Sequence, residues 1–189
     1  DVITMVYAGR INKYIVAKLQ AENCNATGLS GADGNAILSK KRSPYPVNFG
    51  FVGDVEQVNT TFIKMLLKED MVPVFCALTH DKQGQLLNTN ADTIASELAM
   101  ALAEAYDTEL YYCFEKKGVL ADVLDQNSVI ENLDFNFYKK LKEKGQIADG
   151  MIPKLDNSFN ALHQKVSKVS IGQPEMIFQP QSIFTTLKL

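Results

Sequence analysis

Leu87–Leu102 reads LNTNADTIASELAMAL: two asparagines two apart, then an aspartate, then a helical pattern. Ile94, Leu98 and Leu102 recur four apart, and Ala95, Ala99 and Ala101 widen the same stripe, which specifies an amphipathic helix. Asn88, Asn90 and Asp92 stand at its mouth. Asn and Asp side chains accept the unpaired N–H groups of a first helical turn, so one reading is a plain cap. The other is a polar cluster where a strand hands over to a helix, the place at which α/β sheets bind ligands.

Composition narrows the context. With 189 residues, 46% hydrophobic and 22% charged, the chain supports one or two globular domains with an ample core. A net charge of −3 and a pI near 5.4 argue against nucleic acid as an electrostatic partner. The longest apolar runs, such as VPVFCAL (72–78), are too short to span a bilayer, so no membrane partner is expected. The start, DVITMVYAG, has no basic flank or cleavage pattern and is not a signal peptide. Cys24, Cys76 and Cys113 are odd in number and far apart, which fits buried free thiols in a reducing cytoplasm and neither a disulfide framework nor a metal site. A cytoplasmic protein is expected. Because it opens on Asp1 and not Met, the chain reads as a fragment.

Along the chain, Val2, Met5, Val6, Ile11, Ile15 and Leu19 mark a first helix, or a pair broken near Gly9. NATGLS is a short strand, and the Asp33-Gly34 turn before AILS is a hairpin signal. Lys40-Lys41-Arg42 reads as a solvated loop, followed by a Pro/Gly-punctuated segment to Gly53. A helix over about 59–70 should turn Phe62, Met65, Leu66 and Leu67 inward. VPVFCALTH (72–80) reads as one buried strand, apolar on both faces as parallel strands are. ELYYCF (109–114) and KVSIG (168–172) are further strands, with helices over about 135–144 and from Lys154 to about Val166. The end is irregular, apart from an edge strand near Ile183–Leu187. Strands alternating with helices specify an α/β fold with a mostly parallel sheet covered on both faces.

The familiar catalytic motifs are missing: no Walker phosphate loop, no G-x-G-x-x-G, no H-E-x-x-H, no CxxC and no G-x-S-x-G. His80 and His163 read as turn and surface residues. What remains besides 88–92 is DGMIPK (149–154). Pro153 suits a first helical turn, which places Lys154 near a helix N-terminus where anions are favoured. A surface lysine is the plain reading. A carboxylate and a lysine at two helix starts is the sharper one, because phosphoryl transfer needs fixed positive charge where equatorial oxygens gain charge.

GLSGADG (28–34), NFGFVGDVEQVN (48–59), GQLLNTNAD (84–92) and DGMIPK (149–154) occur in that order, and together they resemble the N-acetylglutamate kinases of the amino acid kinase family. The likeness covers the chain from Asp1 to about Gly172. It implies a three-layer αβα sandwich around a mainly parallel open sheet, with the N-terminal strands missing. It implies a single domain in which 1–80 is the remainder of an acylglutamate-binding lobe and 81–189 a nucleotide-binding lobe. It also implies a homodimer. The implied reaction moves the γ-phosphate of MgATP, with Mg2+ held through the nucleotide, to the side-chain carboxylate of N-acetyl-L-glutamate or another N-acylglutamate, in arginine biosynthesis. By the same resemblance Asn88 and Asn90 bind substrate, Asp92 organises charge and Lys154 stabilises the transition state. Nucleotide falls on Glu115, Lys116, Lys117, Gly118, Val119 and Leu120, and on Gln146, Ile147 and Ala148. The family's Lys-Gly-Gly phosphate loop and substrate arginine would lie upstream of Asp1. This leaves a second expectation, a catalytically incomplete kinase-like chain with a ligand-binding or assembly role.

Overall fold

The computed structural model describes residues 1–122, 124–179 and 181–189; the side chain of Asp149 also lies outside the described set. The chain forms two compact units, Asp1–Ile94 and Ala95–Leu189.

In the first unit, helix begins at once: α1 (Val2–Thr4), a π-helical stretch Met5–Ile11 and α2 (Asn12–Ala21) run on without a gap. The expected break near Gly9 is therefore a widened turn inside a continuous helix. Asn12, 3% exposed, ties it down by donating from Nδ2 to Val74 O at 2.8 Å. Strand β1 (Ala26–Leu29) then pairs in parallel with β4 (Val72–Phe75).

β1 and the next strand, β2 (Ile37–Lys41), do not form the expected hairpin. Asp33 Oδ2 accepts from both the backbone N–H and the hydroxyl of Ser30 at 2.7 Å, and Gly31 N–H bonds Leu78 O at 2.7 Å. Gly31 must be glycine, since a Cβ would stand 2.7 Å from Ile37 O. The turn therefore carries the chain from one sheet into another, ordered β3-β2-β5-β6. There β2 lies between β3 (Gly53–Val58), antiparallel, and β5 (Leu78–His80), parallel, and β6 (Leu86–Asn88) folds back on β5.

Three further expectations are corrected in this unit. The run 72–80 is not one strand: it serves β1 as β4 and, after Cys76 and Ala77, serves the second sheet as β5. Lys40-Lys41-Arg42 is solvent-exposed as expected but begins in a strand and not a loop, because β2 extends through Lys41, and each base finds a partner. Lys40 pairs with Glu56, Arg42 with Asp54, and the Lys41 ammonium lies 4.5 Å from the Phe51 ring centroid. Third, α3 (Thr60–Lys68), capped by Asn59, buries Ile63 at 1% exposure and leaves Met65 53% exposed, so its inner face is rotated from the one expected.

α4 (Ala91–Leu102) follows, and the boundary between the units falls within it. The second unit has one sheet in the order β7-β9-β10-β8, from β7 (Glu109–Cys113), β8 (Asn132–Asp134), β9 (Lys168–Gly172) and β10 (Thr185–Lys188). β10 is not an edge strand: it lies between β9 and β8, with Thr185 and Leu187 buried. α5 (Phe135–Glu143), capped by Asp134, and α6 (Ile152–His163) pack with this sheet around Leu133, Tyr138, Leu155, Phe159, Val169 and Ile171. Four of the seven strand pairings among the described residues are parallel, so the α/β reading holds with a mixed sheet pattern in which parallel pairs predominate.

Candidate functional site

Asn88, Asn90 and Asp92 lie on the short path from β6 into α4. Asn90 is the helix cap: its Oδ1 accepts from the backbone N–H of Asp92 at 2.8 Å and of Thr93 at 3.1 Å. The cap reading therefore holds for Asn90. Asn88 has a different setting. Its N–H bonds Phe51 O at 2.8 Å, and it lines a cleft of about 1010 Å³ with Phe49, Phe51, Val52 and Leu78. Asp92 sits in the first turn of α4, the end of a helix that favours negative charge.

Phe49 and Phe51 were not singled out in the sequence. Their signal was F-G-F inside a Pro/Gly-rich segment, where exposed aromatics have no core to explain them. Arg42 and Asp54 clamp the base of that segment, with the guanidinium 2.5 Å from the carboxylate. His80 takes the turn role, its Nδ1 facing Lys82 N–H at 3.4 Å.

In the second unit, segments 115–120 and 146–148 meet. Lys116, Gly118, Val119 and Leu120 line one side of a narrow cleft of about 30 Å³, and Ile147, Ala148 and Met151 line the other. Glu115, Lys117 and Gln146 are exposed and lie outside that lining. The loop is pinned from behind: Val119 N–H bonds Thr185 Oγ1 at 2.8 Å, and a Cβ on Gly118 would meet that oxygen at 2.6 Å. The walls are apolar with one cation at the rim, which suits a flat heterocycle bearing phosphates. Among the described residues no group of three or more His, Cys, Asp or Glu could hold a metal ion, and no helix is long and apolar enough to cross a membrane.

Lys154 stands in the first turn of α6, beside Pro153. Its ammonium lies 4.5 Å from the centroid of the Tyr112 ring, on β7. A cation at a helix N-terminus opposes the dipole, so the helix gains nothing from this charge. Two residues on, Asp156 accepts from Tyr138 Oη at 2.6 Å and from Lys142 Nζ at 2.8 Å, tying α6 to α5. Burial and the bond to Asp156 push the Tyr138 phenol up to about 12. Burial acts to raise the Asp156 carboxyl, but the bonds from Lys142 and Tyr138 outweigh it and hold it below the usual range.

A raised phenol pKa gives stability that is present below the unfolded value near 10 and lost as pH climbs through about 12. An absorbance titration of tyrosinate should accordingly show a phase near 12 that Tyr138→Phe removes, distinct from Tyr111, whose phenol is also raised by its bond to Glu109 and by burial. A phase near 12 that persists in Tyr138→Phe and disappears only in Tyr111→Phe would contradict the Tyr138–Asp156 bond.

Comparison with known proteins agrees with this architecture. The amino acid kinase family profile matches residues 1–173, and the chain belongs to that family. Among curated relatives, it is 53% identical over 179 residues to the acetylglutamate kinase of Cytophaga hutchinsonii, covering 94% of this chain and 68% of that protein. It is 55% identical over 170 residues to the acetylglutamate kinase of Phocaeicola vulgatus, covering 90% of this chain and 66% of that protein. The chain thus spans about two thirds of the length of these relatives. A solved protein of Streptococcus mutans UA159 superposes with a TM-score of 0.82 at 24% identity, covering 98% of this chain and 69% of that one. The fold is thereby that of the amino acid kinases, an αβα sandwich.

Proposed function

We propose that the protein transfers the γ-phosphoryl group of MgATP to the side-chain carboxylate of N-acetyl-L-glutamate, or a related N-acylglutamate, in arginine biosynthesis. The observation that carries this reading is the ordered N-x-N-A-D and D-G-M-I-P-K pair within a chain 53–55% identical to acetylglutamate kinases. Residues 1–80 are read as the rest of an acylglutamate-binding lobe and 81–189 as the nucleotide-binding lobe.

In this reading an acceptor carboxylate oxygen attacks the γ-phosphorus, the bond to the β,γ-bridging oxygen breaks, and ADP leaves with the electron pair. Asn88, with Asn90 beside it, donates amide N–H groups to the acceptor, while Phe49 and Phe51 offer apolar surface for its acyl group. Lys116, Gly118, Val119, Leu120, Ile147 and Ala148 hold the nucleotide, with Glu115, Lys117 and Gln146 at its margin. Lys154 supplies fixed positive charge to the transferring group, and Asp92 orders the cations around it. Mg2+ travels with the nucleotide phosphates, as is usual for this ion. The protein is read as a cytoplasmic homodimer. Support for the dimer is the apolar face of the first helix, where Val2, Met5 and Tyr14 are 68%, 62% and 63% exposed.

A coupled ADP assay on the full-length protein tests the reaction. ADP release should require the acylglutamate, and Asn88→Ala should raise the KM for it about 10–100-fold, the worth of hydrogen bonds to a charged group. ADP release indifferent to acylglutamate, or absent altogether, would overturn the proposal.

A further inference from the structure

Between the two asparagines stands Thr89, only 1% exposed. Its Oγ1 lies 2.7 Å from Oγ1 of Thr79, whose side chain is fully buried, and 3.4 Å from Gly53 O. Gly53 opens β3, and a Cβ there would stand 2.6 Å from Thr89 Oγ1 and 2.9 Å from Thr79 Oγ1. Three chain segments therefore meet at one pair of hydroxyls sealed from water. Backbone bonds hold the same place, with Thr89 N–H on Ala77 O at 3.1 Å.

Extended chain alternates its faces, so seating Leu87 and Thr89 inward turns Asn88 and Asn90 to the opposite side. Burial alone would be served by valine. A buried hydroxyl needs a partner, and this pair finds one in a single register, since a one-residue slip would bury an asparagine and orphan both threonines.

We propose that the Thr79–Thr89 hydroxyl pair, closed over by Gly53, is a positioning device that sets the angle at which Asn88 meets the acceptor. Thr79 and Thr89 are positioning residues for acceptor binding and take no part in the transfer itself. The inference rests on Asn88 binding the acylglutamate.

Steady-state kinetics of the full-length protein with MgATP and N-acetyl-L-glutamate test it. Thr89→Val keeps the shape and deletes the hydroxyl, leaving Thr79 unpartnered. It should raise the KM for N-acetylglutamate about tenfold and leave the KM for MgATP within about twofold. Thr89→Ser keeps the hydroxyl and should restore the acceptor KM. Gly53→Ala crowds the pair from the other side with both hydroxyls present, so it must give the same selective rise even if Thr89→Val folds poorly. Equal damage from Val and Ser, a rise in KM for both substrates, or a lowered Tm with unchanged KM would overturn the inference. A silent Thr89→Val beside a damaged Asn88→Ala would overturn this inference alone; silence in both would remove the reading of Asn88 as well.

Discussion

Replacing Lys154 by alanine is expected to lower kcat about 10²–10³-fold, the loss typical of removing one preorganised donor to a developing charge. The KM values should change far less, because the charge matters most once the phosphoryl group is in flight. Removing a cation from the first turn of α6 relieves an unfavourable dipole contact, worth about 0.3–1 kcal/mol. Losing the contact over Tyr112 costs about as much. A collapsed kcat with little-changed KM values is the signature of a side chain kept for chemistry. Stopped-time ADP assays read both quantities, and a variant with near-normal kcat would refute the role given to Lys154.

Phe159→Ala should have the largest effect on stability, about 3–5 kcal/mol. Phe159 is 2% exposed and stacks on Tyr138 with ring centroids 5.1 Å apart and planes 22° apart; Phe135 packs 5.1 Å away on another side. Truncation opens a cavity between α5 and α6, and close-packed rings refill such a space poorly. Urea unfolding should show a lowered midpoint with an unchanged slope. A loss under about 1 kcal/mol would mean that the helices collapse onto the gap.

Much of this architecture was legible from residue order. β9 at Lys168–Gly172 and β7 at Glu109–Cys113 stand out as β-branched or aromatic runs, and Pro153 marks a helix start. What escaped depended on partners far away in sequence. β8 is three residues, Asn132–Asp134, in a polar stretch; it exists because β10 lies alongside it. Nothing in Thr185–Lys188 distinguishes an edge strand from an interior one. The Asp33-Gly34 turn looked like a hairpin because local turn chemistry does not say which sheet the next strand joins. At the site, the polar cluster and the late lysine were visible as residue types at helix starts. Thr89 carries no such signal, because its importance lies in Thr79 and Gly53, contacts that no local pattern announces.

The change of sheet at Cys76 and Ala77 also governs where the chain can be opened. Only those two residues separate β4 from β5, so slack added there would let the two sheets drift out of step. Gly84, with φ +94° and nothing within 4 Å of an added Cβ, is the opposite case for the fold: a loop tip where extra residues spare both sheets, although they would stand at the rim of the cleft that holds Asn88. The fold therefore tolerates inserted residues at the tip of the β5–β6 turn and not seven or eight residues earlier, although both places look like punctuation between apolar runs.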